Sequence, residues 1–254
     1  MAISKFIKNI EINKGWDLQQ FYLKKNDDRS NMNKKIIDNF KFLIIKANTL
    51  EEKGAVFKTR QYNDVIKAIS EYNKEVQNIE EVKEILINFG KKNPEKTLKK
   101  IKDIFDNGEI LEVSDAKKNP LIIAVKNLTK VYSIGYKKAI DLYKKFNIIT
   151  IDDLKIKFKE NNTILHGKQQ LGLNYYDDLN LRIPREEIKK YEVLFNAYSQ
   201  KIDKSIKISI NGSYRREQLD SGDIDVLITA DENVSELRKK FIEYMKQEKI
   251  IIET

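Results

Sequence analysis

The sequence predicts an α+β fold: an all-helical N-terminal half with two helix-hairpin-helix motifs, then a mixed sheet accompanied by helices. Three observations predict it. Between Lys34 and Phe105 apolar residues recur three or four apart, the period of a helix with one buried face. Glycine-bearing turns at Gly90 and Gly135 each join two such stretches. Only towards the C-terminus do short runs rich in β-branched residues appear, at Lys207 to Ile210 and Ile224 to Thr229, suited to paired strands.

Residues 1–31 form an N-terminal extension, a short helix or flexible arm carrying Trp16, Phe21 and Tyr22 among charges, with no legible chemistry. A helical domain is expected over 32–115. Its first helix, Lys34 to Leu50, presents Ile36, Ile37, Phe40, Leu43, Ile44, Ala47 and Leu50. The second, Ala55 to Tyr72, presents Val56, Tyr62, Val65, Ile66 and Ile69; the third, Ile79 to Phe89, presents Ile79, Val82, Leu86 and Phe89. In Gly90-Lys91-Lys92-Asn93-Pro94, Asn93 reads as N-cap and Pro94 as the first helical residue. The fourth helix runs to about Phe105 on a Leu98, Ile101, Phe105 stripe and stops at Asn107-Gly108. Lys96 and Lys100 lie one turn apart on another face.

The second hairpin, Leu128 to Lys138, leads into a helix with Ala139, Ile140, Leu142, Tyr143 and Phe146, within a subdomain expected over 116–180. Amides at a hairpin and helix start, with lysines nearby, suit a phosphate backbone. One such hairpin is slightly more often an ordinary bundle turn; two in a basic helical region shift the balance towards the clamp. After a loop around Leu173 to Tyr176 comes the last expected domain, 181–254. Arg182-Ile183-Pro184-Arg185-Glu186-Glu187 starts a long helix, with Pro184 in its first turn and Ile188, Tyr191, Leu194, Phe195, Tyr198 and Ile202 on one face. The strands follow, then a helix from about Val234 to Glu248 and a strand beginning at Ile250 to Ile252.

The chemistry concentrates in Asn211-Gly212-Ser213-Tyr214-Arg215-Arg216 and Ser221-Gly222-Asp223-Ile224-Asp225-Val226-Leu227. Strand alternation turns Asp223 and Asp225 the same way, with Ile224 and Val226 opposite. Adjacent carboxylates repel, and a divalent metal such as Mg²⁺ offsets the repulsion while keeping positions for substrate phosphates. Gly212 permits close backbone approach, the following amides suit an anion, and Arg215 and Arg216 add guanidinium forks matched to phosphate. An Asp-x-Asp or Gly-Ser pair alone is common; their order and shared strand context give the outline of a nucleotidyl transferase.

The formal net charge of +9 and pI near 9.2 favour a polyanionic partner, although basic charge equally serves solubility. With no cysteine and only His166, thiolate sites, zinc clusters and a Ser-His-Asp triad are excluded. His166 is expected to be solvent-exposed in a polar loop. No apolar run approaches the roughly 20 residues needed to span a bilayer, and no signal-peptide pattern opens the chain. A soluble, intracellular monomer without a membrane partner is expected, in nucleus or cytoplasm alike.

Read together, these residues resemble the family X DNA polymerases from about Ile36 onward, most firmly in Arg182-Ile-Pro-Arg-Glu-Glu, Gly212-Ser-Tyr-Arg-Arg and Ser221-Gly-Asp-Ile-Asp-Val-Leu. The resemblance implies a lyase domain over 32–115, a helix-hairpin-helix DNA-binding subdomain over 116–180, and a partial nucleotidyltransferase palm over 181–254. It implies Mg²⁺-dependent transfer from dNTP to a primer 3′-OH on gapped or nicked DNA, in repair. Asp223 and Asp225 match the holders of two Mg²⁺ ions. Arg182, Ser213, Arg216, Ser221 and Gly222 match the nucleotide pocket. Lys100 matches the lysine that forms a Schiff base with the abasic-site sugar aldehyde, with neighbouring Lys96 and Lys99 expected to disfavour its protonation. Lys58, Tyr62 and Lys96 match the 5′-phosphate pocket. Gly135 belongs to the second hairpin, where the carbonyls of Thr129, Val131 and Ile134 match a site for K⁺ or Na⁺.

Departures accompany the match. Gly-Lys-Lys-Asn-Pro stands where a glycine-x-glycine turn is usual; Ser133 replaces one of the paired glycines of the second hairpin; Glu217 stands where a glycine is usual. The chain ends at Thr254 before the family's third aspartate and thumb, so the front part of a longer polymerase is expected, or a short protein needing a partner; alone it is expected to bind metal weakly and to polymerise poorly or not at all. Two alternatives stay open: a DNA-binding and lyase module that does not polymerise by itself, and another nucleotidyl transferase sharing the Gly-Ser and Asp-x-Asp core.

Overall fold

The structure, a computed structural model, describes residues 31–251, which divide between Tyr176 and Asp177 into two compact units. The expectations for the N-terminal arm and for Ile252 lie outside the described residues. The first unit is helical and the second carries the strands, so the α+β class holds.

In the first unit, α1 (Met32–Thr49) starts where the Asn31 side chain accepts the Lys34 amide at 2.8 Å. It buries Ile36, Phe40, Leu43 and Ala47 at four- and three-residue spacing, mainly against α2 (Ala55–Glu71). Phe40 meets the half-buried Tyr62 of α2 edge to face, centroids 5.6 Å apart. Two expected core residues are solvent-facing: Val56 lies in the first turn of α2 and Leu50 in the turn before it, beyond the reach of the packed faces. α3 (Ile79–Asn88) is capped by the Asn78 side chain. It ends at Gly90 (φ +97), whose following amide, on Lys91, reaches back to the Leu86 carbonyl at 2.9 Å.

α4 (Glu95–Asn107) begins one residue later than expected. Pro94 is its N-cap, so Asn93 does not cap it. Its buried face is Leu98, Ile101 and Ile104, with Phe105 half-buried beside it, and Gly108 (φ +79) terminates it as expected. A short α5 (Leu111–Ala116) that periodicity did not disclose follows; its six residues are too few to show a pattern. Then come α6 (Pro120–Leu128), capped by Asn119 with Pro120 at its start, and α7 (Tyr136–Phe146). α8 (Ile151–Glu160) opens with a reciprocal Thr150–Asp153 capping box. The expected loop around Leu173 to Tyr176 is instead largely helical, in α9 (Lys168–Asn174) and α10 (Tyr176–Asn180). The unit has two apolar clusters, one from Ile36 to Ile122 and one from Val125 to Leu173, with Ile45 packed against both.

In the second unit, the Arg182 segment does not enter the long helix directly. Ile183–Pro184 form β1, paired antiparallel with β3 (Asp220–Ser221). The fixed φ of Pro184 sits at the N-cap, and α11 (Arg185–Ile202) starts after it with Glu186 and Glu187 in its first turn. β2 (Lys207–Ile210) pairs antiparallel with β4 (Val226–Thr229), Ile210 opposite Val226. Between β2 and β3 lies a single turn of helix, α12 (Gly212–Arg215), and α13 (Val234–Gln247) closes the set. Ile188, Phe195, Ile224, Phe241, Met245 and Ile250 are buried together as this unit's core.

Candidate functional site

β4 begins at Val226, two residues later than expected, because the ladder stops where Gly212 turns the partner chain away at φ +61. One further bond, from the Asn211 amide to the Asp225 carbonyl at 2.7 Å, holds the residues before β4 alongside the start of α12. Burial keeps the alternation predicted for this stretch: Ile224 and Val226 enter the core, Asp223 and Asp225 stay partly exposed. The Asp225 carboxylate packs directly on Gly212, where an added Cβ would stand 1.8 Å from Oδ2. Neither carboxylate is held by a lysine or arginine ion pair among the described residues. They are two acceptor-only groups left for a hard cation to fit, and no cluster of three or more metal-binding side chains occurs among the described residues.

The matched nucleotide-pocket residues assemble around the same turn. Ser213 Oγ and buried Ser221 Oγ are hydrogen-bonded at 2.7 Å, joining α12 to β3. Arg182 donates through Nε and Nη2 to Asp220 Oδ1 at 2.9 and 2.7 Å, and its Nη1 reaches Gly222, 3.5 Å from where a Cβ would be. Arg215 and Arg216 are exposed beyond the turn, as is Glu217.

A positioning cluster was missed by sequence reasoning. Arg185 Nη1 donates to the Tyr214 carbonyl at 2.6 Å while its guanidinium lies 4.1 Å over the Tyr214 ring. The Tyr214 hydroxyl donates to Glu192 Oε2 at 2.8 Å. Burial and that carboxylate push the phenol's pKa up and keep it a donor. Arg185 and Tyr214 stood inside the motifs already quoted; only their apposition was hidden.

In the helical unit, Lys58 and Lys100 are joined through residues the sequence did not flag. Lys100 Nζ is hydrogen-bonded to Glu112 Oε2, Lys46 Nζ lies 2.7 Å from Glu112 Oε1 and 2.5 Å from Glu52 Oε1, and Lys58 Nζ lies 2.6 Å from Glu52 Oε2. Lys96 and Lys99 are exposed on the outer face, so the charge nearest the Lys100 amine is opposite in sign rather than like. Like charges on one helix spread outward into water, whereas Glu112 comes from a second helix folded over Lys100. Tyr62 faces the same row; burial, then Glu112 and Glu52, push its hydroxyl pKa up.

At the turn from α6 to α7, Gly135 is an extended N-cap (φ −90), and Ser133 takes the left-handed conformation at φ +69. The Val131 carbonyl accepts the Ile134 amide at 3.0 Å, which leaves it one lone pair. Thr129, Ile134 and Gly135 border a groove of about 920 Å³ that also takes in Lys41, Lys126 and Lys130. His166 is exposed, as expected.

Comparison with known proteins finds matches along most of the chain. Residues 182–254 match the model of the DNA polymerase beta palm, and residues 126–180 that of the fingers domain of DNA polymerase lambda. Over 218 residues, 85% of this chain, it is 27% identical to DNA polymerase lambda of Arabidopsis thaliana. Over 187 residues, 74% of the chain, it is 24% identical to DNA polymerase lambda of Rattus norvegicus. The chain belongs to the family X DNA polymerases. The aligned segments span 39% and 30% of those relatives' lengths. Among the described residues, no helix is long and apolar enough to cross a membrane.

Proposed function

We propose that the protein acts in gap-filling DNA repair, transferring a nucleotide from dNTP to a primer 3′-OH, with an associated 5′-deoxyribose-phosphate lyase. The observation that carries the polymerase reading is the apposition of Gly212 to Asp225 beside the Ser213–Ser221 bond. It sets two half-buried carboxylates next to a serine-lined turn with arginines on its rim. Asp223 and Asp225 would be shared by two Mg²⁺ ions. Bound there, the metal would offset phosphate charge and favour the primer oxygen as nucleophile. The chain's own residues do the positioning. Ser213 and Arg216 bind the triphosphate, and Ser221 fixes the Ser213 hydroxyl. Gly222 leaves room for the nucleotide under Arg182, which Asp220 orients.

The two helix pairs would act as helix-hairpin-helix clamps on the phosphate backbone, with the Lys41, Lys126 and Lys130 groove beside the second. The Thr129, Val131 and Ile134 carbonyls would hold K⁺ or Na⁺ there. The lyase half spans 32–115, the hairpin subdomain 116–180 and the palm 181–254. In a full-length polymerase carrying these residues, primer extension on gapped DNA with Mg²⁺, abolished by Asp223→Ala, is the expected result; extension that needs no divalent metal would overturn the reading.

A second reading, a DNA-binding and lyase module acting without polymerisation, is favoured by the row of charges that joins Lys58 to Lys100. The lyase step needs no metal: the Lys100 amine attacks the sugar aldehyde and forms an imine. Borohydride reduction on DNA with an incised abasic site should leave a covalent adduct that Lys100→Ala removes. An adduct without any primer extension would select this second reading.

A further inference from the structure

We propose that Glu112 is the positioning residue of the lyase site, holding the Lys100 side chain in place and taking up the proton its amine sheds on attack. The inference rests on the lyase reading of Lys100 given above. Its ground is the way Glu112 is built in. Each carboxylate oxygen serves a different ammonium: Oε2 accepts from Lys100 of α4, Oε1 from Lys46 of α1. Lys46 is shared with Glu52, which also takes Lys58 of α2, so one continuous row of alternating charge crosses four helices and the turn before α2.

The row is most covered at Lys46 and Glu52, whose side chains keep 19% and 18% of their exposure, against 27% for Lys100, 35% for Glu112 and 43% for Lys58. A lysine on an exposed helix face samples many rotamers. Lys100 instead has its nitrogen tied to a carboxylate that is anchored from behind. The charged and titratable groups facing that carboxylate are Lys46, Lys100 and, more distantly, Tyr62 and Glu52. Burial opposes ionisation of Glu112, but the hydrogen bonds from Lys100 and Lys46 outweigh it and hold its carboxyl below the usual range. A base must be ionised and within hydrogen-bond reach of the proton it takes; Glu112 is both.

The step balances without any further reagent. The Lys100 ammonium passes a proton to Glu112. The freed nitrogen lone pair forms the bond to the aldehyde carbon while the carbonyl π pair moves onto oxygen, which takes the proton back from Glu112. The nitrogen of that carbinolamine still carries its extra proton; loss of water, made from the hydroxyl and one N–H hydrogen, then gives the protonated imine. DNA covering the pocket would exclude water and lower the cost of moving the charge, because both partners become neutral in the transfer.

Single-turnover borohydride trapping of the whole chain on incised abasic DNA tests this, alongside DNA affinity by anisotropy. Glu112→Gln keeps the shape and should slow trapping by about tenfold or more at saturating DNA, with affinity changed by less than about twofold. Glu112→Asp should recover part of the loss. Lys46→Met, which leaves Glu112 in place but unanchored, should slow trapping as well, and it carries the test if Glu112→Gln does not fold. Unchanged or faster trapping in these variants at equal DNA affinity would overturn the role of Glu112. A parent protein that gives no adduct, or an adduct that survives Lys100→Ala, would sink the lyase reading itself.

Discussion

The carboxylate of Asp225 rests on the α-carbon of Gly212: a side chain there would place its Cβ 1.8 Å from Oδ2 and 2.9 Å from Cγ. Gly212 is also left-handed, at φ +61, so the position demands glycine twice, once for backbone and once for space. Gly54 supplies the contrast, with φ +73 and nothing within 4 Å of an added Cβ. Gly54→Ala should therefore cost only the backbone penalty, about 1–2 kcal/mol. Gly212→Ala should cost more and displace Asp225, lowering Mg²⁺-dependent extension by roughly a hundredfold. Equilibrium denaturation and extension assays on both variants check this; equal behaviour of the two would show that the close approach does not matter.

Two departures from the family's glycines share one conformation. Ser133 and Glu217 stand where glycine is usual, and both are left-handed, at φ +69 and +60. The backbone path is kept although the residue that fits it best is gone. Glu217→Gly should stabilise the protein by up to about 1 kcal/mol, the left-handed penalty less the chain entropy that glycine adds to the unfolded state. A lower denaturant midpoint in Glu217→Gly would refute this.

Gly172 of α9 is needed for a different reason. Its φ is ordinary, but an added Cβ would stand 2.3 Å from the Tyr132 carbonyl oxygen in the turn between α6 and α7. That contact lies on backbone, which cannot swing aside as a side chain can. Gly172→Ala should cost about 1–3 kcal/mol, the range for overpacking. It should also weaken DNA binding through the displaced turn. Thermal unfolding and anisotropy measure the two effects, and an unaltered melting temperature would count against the close contact.

How far the sequence reached depended on the range of each interaction. The long helices were legible because their apolar spacing is a local signal, as at Ile36, Phe40, Leu43 and Ala47 in α1. Short elements such as α5 and β1 were not, since six or two residues cannot show a period. The alternation of Asp223 with Ile224 was readable in the same local way. Glu112 was not: nothing in its neighbours marks it, and its meaning comes from Lys46, 66 positions earlier in the chain. Arg185 and Tyr214 were likewise 29 positions apart until the fold stacked them. Lys99 and Lys96 misled because sequence neighbours on a helix were weighed above a partner brought in by folding.

The charge row gives the stability a pH dependence of definite sign. Hydrogen bonds from Lys46 and then Lys58 hold the Glu52 carboxyl below its ordinary value of 4.5, against the opposing effect of burial. A carboxyl whose pKa is lower folded than unfolded binds its proton more readily in the unfolded chain. Its stabilisation is complete above the unfolded value and is lost as pH falls through the folded one. Glu112 is shifted the same way, so the acid limb of the stability curve should carry both. Glu52→Gln cannot titrate, and its unfolding free energy should be lower than the parent's at neutral pH and fall less steeply below about pH 4.5. The two curves should approach each other in acid, while a slope remains from Glu81 and Asp153, whose carboxyls are also held down elsewhere in the helical unit. Denaturant titrations from pH 7 to pH 3 compare them directly. A Glu52→Gln curve running parallel to the parent's throughout would show that the row contributes nothing through ionisation.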